Sequence, residues 1–218
     1  MEKRFHFRKL LVSLLIAASV VVKAQTSVDP TVMTVAGKDV PLSEFVYIAG
    51  KNNEVNLTDS ASLHTYLELF TKFKLKVAEA ESLGLDTTQG FINELKGYQE
   101  QLVKSYSKDS DDVLTPEKIR CIEQDCPEYK HLMQEYRDGI LLFEVSDREV
   151  WSRASSDTAG LEAFFEQSKQ KYSSDSLDAV RGEVIADYQN WLDNQWTKRL
   201  AGKYPIKVYW DVLKKLTK

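Results

Sequence analysis

Beyond residue 24 no apolar run comes near the ~20 residues that a membrane-spanning helix needs, so no span is expected there. Cysteine is almost absent: the sequence has 2 in 218 residues, Cys121 and Cys126, which excludes a multi-bridge disulfide scaffold. The 9 glycines are scattered one at a time and form no loop able to cradle a phosphate. Histidine is scarce as well. Outside the first 24 residues only His64 and His131 remain, and neither has the neighbours of an HExxH zinc site or of a nucleophile elbow such as GxSxG. Positive charge is in deficit: Lys and Arg number 29 against 33 Asp and Glu. With no Lys/Arg-rich run to neutralise phosphates, nucleic acid and anionic membrane surfaces are poor partners.

The N-terminus is different. MEKRFHFRKLLVSLLIAASVVVKAQ joins a basic start (Lys3, Arg4, Arg8, Lys9) to an apolar run from Leu10 to Val22 and small-residue spacing at Val22 and Ala24. That is the pattern of a secretory signal peptide cut after Ala24, and the apolar run is shorter than a spanning helix requires. The leader holds five Lys/Arg and one Glu, so its removal takes the net charge from −4 to −8. The mature chain is expected in an oxidising compartment, the periplasm, without a membrane span and with no lipid-modifiable cysteine at the cleavage point.

The mature chain reads as mostly α with a minor sheet, an α+β class. Val32, Thr34 and Val35, then Ala36-Gly37-Lys38 and a return through Val40, predict a β-hairpin; Pro41 or Ser43 starts a short helix through Phe45 and Ile48. A lone hairpin is marginal in water. The other strand candidate is Pro205 to Trp210, so pairing of the two would close the molecule end to end. Between them, Asp59 or Ser60 caps a long helix to Leu83, stopped by Gly84, whose stripe Leu63, Tyr66, Leu67, Phe70, Phe73, Val77 and Ala80 is wide enough for a central helix. Asp86-Thr87 caps the next helix, with Phe91, Leu95, Tyr98 and Leu102 on one face. It gives out in the polar stretch SKDSDD, the best internal linker candidate. Thr115-Pro116 opens a short helix, Pro127 ends it and begins another bearing Tyr129, Leu132, Tyr136, Ile140 and Phe143. Ser146 with Glu149 forms a capping box ahead of Trp151. Asp157-Thr158 and Ser176 open the last two helices, the second ended by Gly202.

CIEQDCPEYKH, residues 121–131, concentrates what chemistry-bearing side chains there are. As a zinc site it offers three ligands, Cys121, Cys126 and His131, one short of the four that a closed structural site uses; His64 is a fourth only if the fold delivers it. Four residues separate the cysteines, where a thioredoxin-like motif has two. Two readings remain open: a short Cys121–Cys126 disulfide, favoured by an oxidising space and by Pro127 breaking the helix, or a pair of free thiols. No metal and no cofactor is implied, and no catalytic residue stands out. Among the aromatics, Tyr66, Phe73, Tyr106 and Trp191 are candidates for a peptide-binding groove, against the plainer roles of core filling or surface exposure.

Several stretches carry a resemblance: VAGKDVPLSEFVYI, FTKFKLKVAEAESLGLDTTQGFINELKGYQEQL, EYRDGILLFEVSDREVW and IADYQNWLDNQWTKRLAGKYPIKVYWDVLKKL. They are similar to the regions flanking the catalytic domains of SurA-like periplasmic chaperones, members of the PpiC-type peptidyl-prolyl isomerase family. The resemblance implies an N-terminal helical region and a C-terminal helix and strand joined in one chaperone core. It also implies parvulin domains between them, and here about twenty residues stand where a domain of roughly a hundred is expected. No parvulin histidine pair is present, so no catalytic residue carries over. The expected organisation is a signal peptide (1–24), an N-terminal chaperone half (25–107), a short bridge (108–127) and a C-terminal half with the closing strand (128–218). The expected function is an ATP-independent chaperone for unfolded outer-membrane or exported polypeptides, without enzyme activity; an envelope adaptor with one specific partner and an active isomerase are the alternatives. Asp-Ser/Thr-aliphatic triplets at Asp59, Asp86, Asp157 and Asp175 resemble export-linked O-glycosylation sites, with helix capping as the simpler reading.

Overall fold

The computed structural model describes residues 29–51, 54–106 and 115–217; the predicted signal peptide and the linker candidate SKDSDD at 107–112 lie outside them. Thr31–Val35 (β1) and Lys38–Pro41 (β2) form the expected hairpin. Its two-residue turn takes positive φ at both positions, 52° at Ala36 and 79° at Gly37, the backbone that matches the twist of the flanking strands. Ile206–Val208 (β3) joins the other side of β1, pairing Met33 with Val208 and Val35 with Ile206 in antiparallel register, so the sheet order is β2-β1-β3. The chain is therefore closed end to end. The third strand is shorter than predicted, because Trp210 already opens a one-turn helix, Trp210–Leu213 (α9).

Helix α1 (Leu42–Gly50) follows β2 directly; Asp29 accepts the Ser43 N–H at 3.1 Å and serves as its cap from outside the helix. Helix α2 (Ser60–Ser82) is capped by Asp59, which accepts the Ser62 N–H at 2.7 Å, and Gly84 in the left-handed region (φ 71°) ends it. It buries Leu63, Tyr66, Leu67, Phe70, Leu75, Val77 and Ala80, positions too widely spread around the helix for a single neighbour. The sheet and two later helices, Pro127–Ser146 and Leu177–Lys203, all lean on it. The start of α3 (Gln89–Tyr106) departs from expectation. Leu85–Thr87 winds a 3₁₀ turn, and the cap is Thr88, whose hydroxyl accepts the Phe91 N–H at 3.2 Å.

Helices α4 (Pro116–Asp125) and α5 (Pro127–Ser146) meet at Cys126, with Pro127 in the first turn of α5 as its missing N–H allows. The predicted capping box at Ser146 does not form. Ser146 has helical backbone and no capping bond, and the chain runs on through a π turn, Asp147–Trp151, into α6 (Ser152–Ser156). A π turn inserts one residue into the helical repeat, which brings Trp151 onto the face of Phe143, ring centroids 5.3 Å apart. Asp157 caps α7 (Thr158–Ser168) by accepting the Gly160 N–H at 2.9 Å. Ser176 stands at the N-terminus of α8 (Leu177–Lys203) without a side-chain capping bond.

One main core gathers residues from Val32 to Leu213, with Phe45, Leu75, Val145, Val184 and Trp196 among its best-buried side chains. Each large apolar side chain so placed contributes about 1.5–3 kcal/mol. A smaller cluster of Val103, Ile122 and Tyr129 ties the end of α3 to α4 and the start of α5. No helix among the described residues is long and apolar enough to cross a membrane.

Candidate functional site

Two concave features flank α5. The first is a charged cavity of about 310 Å³ between β2, α2 and α5. Lys74 reaches Glu44 at 2.6 Å and Asp138 at 2.8 Å; Asp138 also accepts from Gln134 at 2.8 Å and Arg137 at 3.1 Å. Arg137 continues to Glu81 at 2.8 Å, which accepts Lys38 at 2.6 Å. Burial pulls the Lys74 ammonium down, but Asp138 and Glu44 outweigh it and hold its pKa above the usual lysine range. Burial likewise pushes the Glu81 carboxyl up, and the bonds from Lys38 and Arg137 reverse this to a net lowering. Each of these cations and anions is already bonded to another, so the cavity is a structural tie between hairpin, α1, α2 and α5.

The second feature is a groove of about 820 Å³ between α3 and α5. Phe91 and Tyr98 come from α3; Leu132, Tyr136, Ile140 and Phe143 come from α5. Tyr98 and Tyr136 stack at 4.3 Å with 19° between their planes and so fix the spacing of the two helices. Phe143 is 65% exposed, more than any other large hydrophobic side chain among the described residues, and Trp151 beside it is 39% exposed. Gly90 and Gly139 also line the groove, and a Cβ on either would meet no atom within 4 Å. The space they leave belongs to the groove and not to close helix packing. The rim is acidic: Glu94, Glu135, Glu144 and Asp147 against one cation, Lys51, which bonds Glu135 at 2.8 Å and has its pKa raised by that bond above all. An open, largely apolar trough with an acidic rim can bury apolar side chains and favour segments with basic flanks.

The four aromatics singled out from the sequence do not converge. Tyr66 is 8% exposed, edge-on to Phe45 at 4.8 Å, and its hydroxyl donates to the Phe45 carbonyl at 3.1 Å; burial pushes its pKa upward. It is a core residue and does not line the α3–α5 groove. Phe73 is half-buried against the core. Tyr106 is the last residue of α3, with its side chain outside what is described. Trp191 is exposed on α8, stacked on Tyr188 at 5.7 Å and far in sequence from the groove helices. The groove's own aromatics lie on faces that periodicity marks only as apolar; nothing in the spacing tells a filled face from an open one.

The cysteine stretch is not a stapled bridge in this structure. Cys126 has a free thiol, half-buried beside the small second cluster; the side chain of Cys121 lies outside what is described. The Cys126 N–H still bonds the Ile122 carbonyl at 2.8 Å, so the turn stays helical through that point. Helical geometry then sets Cα atoms five residues apart about 8 Å from each other, beyond the ~7 Å that a disulfide spans. Pro127 breaks the helix only after Cys126. No group of His, Cys, Asp and Glu among the described residues could hold a metal ion. His64 lies against Trp210 at 4.7 Å and His131 against Tyr47 at 5.1 Å, each in a ring-on-ring contact. Comparison of the chain with protein-family models, with curated proteins and with solved structures gives no match.

Proposed function

We propose that the protein is an ATP-independent periplasmic chaperone, similar to the SurA-like family, that holds unfolded outer-membrane or exported polypeptides without isomerase chemistry. The observation that carries the reading is the open groove between α3 and α5 with Phe143 exposed at its mouth. A soluble fold gains nothing by leaving that ring and Trp151 in water unless an apolar segment covers them part of the time. The end-to-end sheet pairing is what a chaperone core of this family implies, and the signal-like leader supplies the compartment. Weak, shape-tolerant burial suffices to hold a client, since contacts in the μM range release as readily as they form.

The test is light scattering as a urea-unfolded outer-membrane β-barrel is diluted into buffer with increasing mature protein, with a prolyl-isomerisation assay on the same preparation. Suppressed aggregation near equimolar ratio without isomerisation is expected. Gly139→Leu, whose Cβ meets no atom within 4 Å and whose side chain would enter the groove, is expected to lose the suppression and keep the fold. No suppression by wild type at large excess would sink the holdase reading and leave the groove to one dedicated partner.

A further inference from the structure

We propose that the outer edge of β3 is a strand-addition site for an extended polypeptide segment carrying apolar side chains at alternate positions and a carboxylate at its flank. The surface is distinct from the α3–α5 groove and does not depend on the holdase reading.

Strand β3 ends the sheet, with β1 on one side only. The Ala36 N–H bonds the Pro205 carbonyl at 3.0 Å, and the Tyr209 N–H bonds the Val32 carbonyl at 2.9 Å. In an antiparallel ladder the backbone groups alternate in direction, so residues 205, 207 and 209 address β1, while the N–H and C=O groups of Ile206 and Val208 point away from it. Those groups have no protein partner among the described residues. Such a row of alternating donors and acceptors is met by water until a second strand pairs with it. Pro205 and the shortness of β3 limit the pairing to about three residues, which protects the edge from indiscriminate addition.

The edge is not merely bare. Ile206 and Val208 form one wall of an apolar groove of about 460 Å³, completed by Leu67 and Leu75 of α2 and Ala201 of α8. Side chains at alternate positions of an added strand have this groove to fill. Thr197 stands in the same wall, buried, and its hydroxyl has no hydrogen-bond partner, an orphaned polar atom of the kind folded proteins avoid. Lys72 and Lys198 line the groove, both exposed and neither in an ion pair among the described residues, against the single carboxylate of Glu68. In a chain of net charge −4, two unpaired cations beside an apolar groove select for a segment that brings a carboxylate.

The probe is a fluorescent seven-residue peptide alternating valine and threonine with glutamate at both ends, followed by anisotropy against the mature protein. Saturable binding in the μM range is expected, about tenfold weaker for the same peptide N-methylated at its internal amides or ended with lysine. Ala201→Arg, at an exposed helical position, is expected to abolish binding, while Gly139→Leu leaves it unchanged. Loss of holdase activity in Gly139→Leu with peptide binding intact separates the two surfaces. Equal affinity for the N-methylated peptide, absence of binding, or binding that survives Ala201→Arg would overturn the proposal. So would a wild-type dimer in sedimentation whose Ile206 and Val208 amides are protected from exchange without peptide, since the edge's occupant would then be a second copy.

Discussion

Lys74 and Asp138 meet 2.8 Å apart beneath a surface that leaves the Asp138 side chain 1% exposed. Glu44 of α1 shares the same ammonium at 2.6 Å, so one cation joins three helices that are distant in sequence. Three charges this deep cost several kcal/mol each to desolvate, and the network offsets that cost only while it is complete.

Lys74→Met should therefore destabilise by about 3–5 kcal/mol, the penalty of taking the shared cation from buried Glu44 and from one oxygen of Asp138. Replacing Lys74, Glu44 and Asp138 together by methionine and leucine should recover most of that loss. Urea midpoints of the two variants decide; if both are equally unstable, the network is more than an exchangeable tie.

Two groups of the network set opposite pH limits. Glu81 has its pKa lowered, so its contribution is present above the ordinary carboxylate value and is lost as pH falls through the folded-state value. Lys74 has its pKa raised, so its contribution is present below the ordinary lysine value and is lost as pH rises through the folded-state value. Thermal melts should hold level near neutrality and fall below about pH 4, and Glu81→Gln should flatten the acid limb. An unchanged acid limb in that variant would assign it to other carboxylates.

Phe143 buries little of its ring, so Phe143→Ser should shift the urea midpoint by no more than about 0.5 kcal/mol in stability while removing most of the aggregation suppression. Full suppression by this variant would place client contacts elsewhere. Because the groove rim is acidic, clients with basic flanks should be held better, and the difference should shrink as salt rises.

A thiol titration of the unfolded, unreduced mature protein should find both cysteines free, as the helical spacing of Cys121 and Cys126 implies. One blocked pair per chain would show that the end of α4 unwinds far enough to bring them within bonding distance.

The scaffold could be read from the residues wherever a local signal and a long-range requirement agreed. The hairpin at Val32 to Val40 could not stand alone, and Pro205 to Trp210 offered the one other strand; the pairing of Met33 with Val208 follows. Asp59 and Pro127 acted as their chemistry dictates. Misreadings arose where two local signals competed. Asp86-Thr87 resembles a cap, but Thr88 lies one residue nearer the helix and takes the bond. Ser146-x-x-Glu149 resembles a helix start, yet packing of Val145 and Val150 into the core keeps the chain helical through both. The groove was the least legible part, because whether Tyr66 or Phe143 meets water depends on which neighbouring helix covers each, and no period along the chain records that.

The sheet also has an order in time. Strand β1 is its middle member, yet the ladder that completes it sets Thr34 opposite Lys207, far along the chain. A chain synthesised from its N-terminus delivers the hairpin first and must keep the inner edge of β1 unpaired until β3 arrives. Long-range closure of this kind is slow, and a strand that waits exposed is the part of a nascent protein most open to wrong pairing. Truncation before Ile206 would leave the hairpin permanently at that stage.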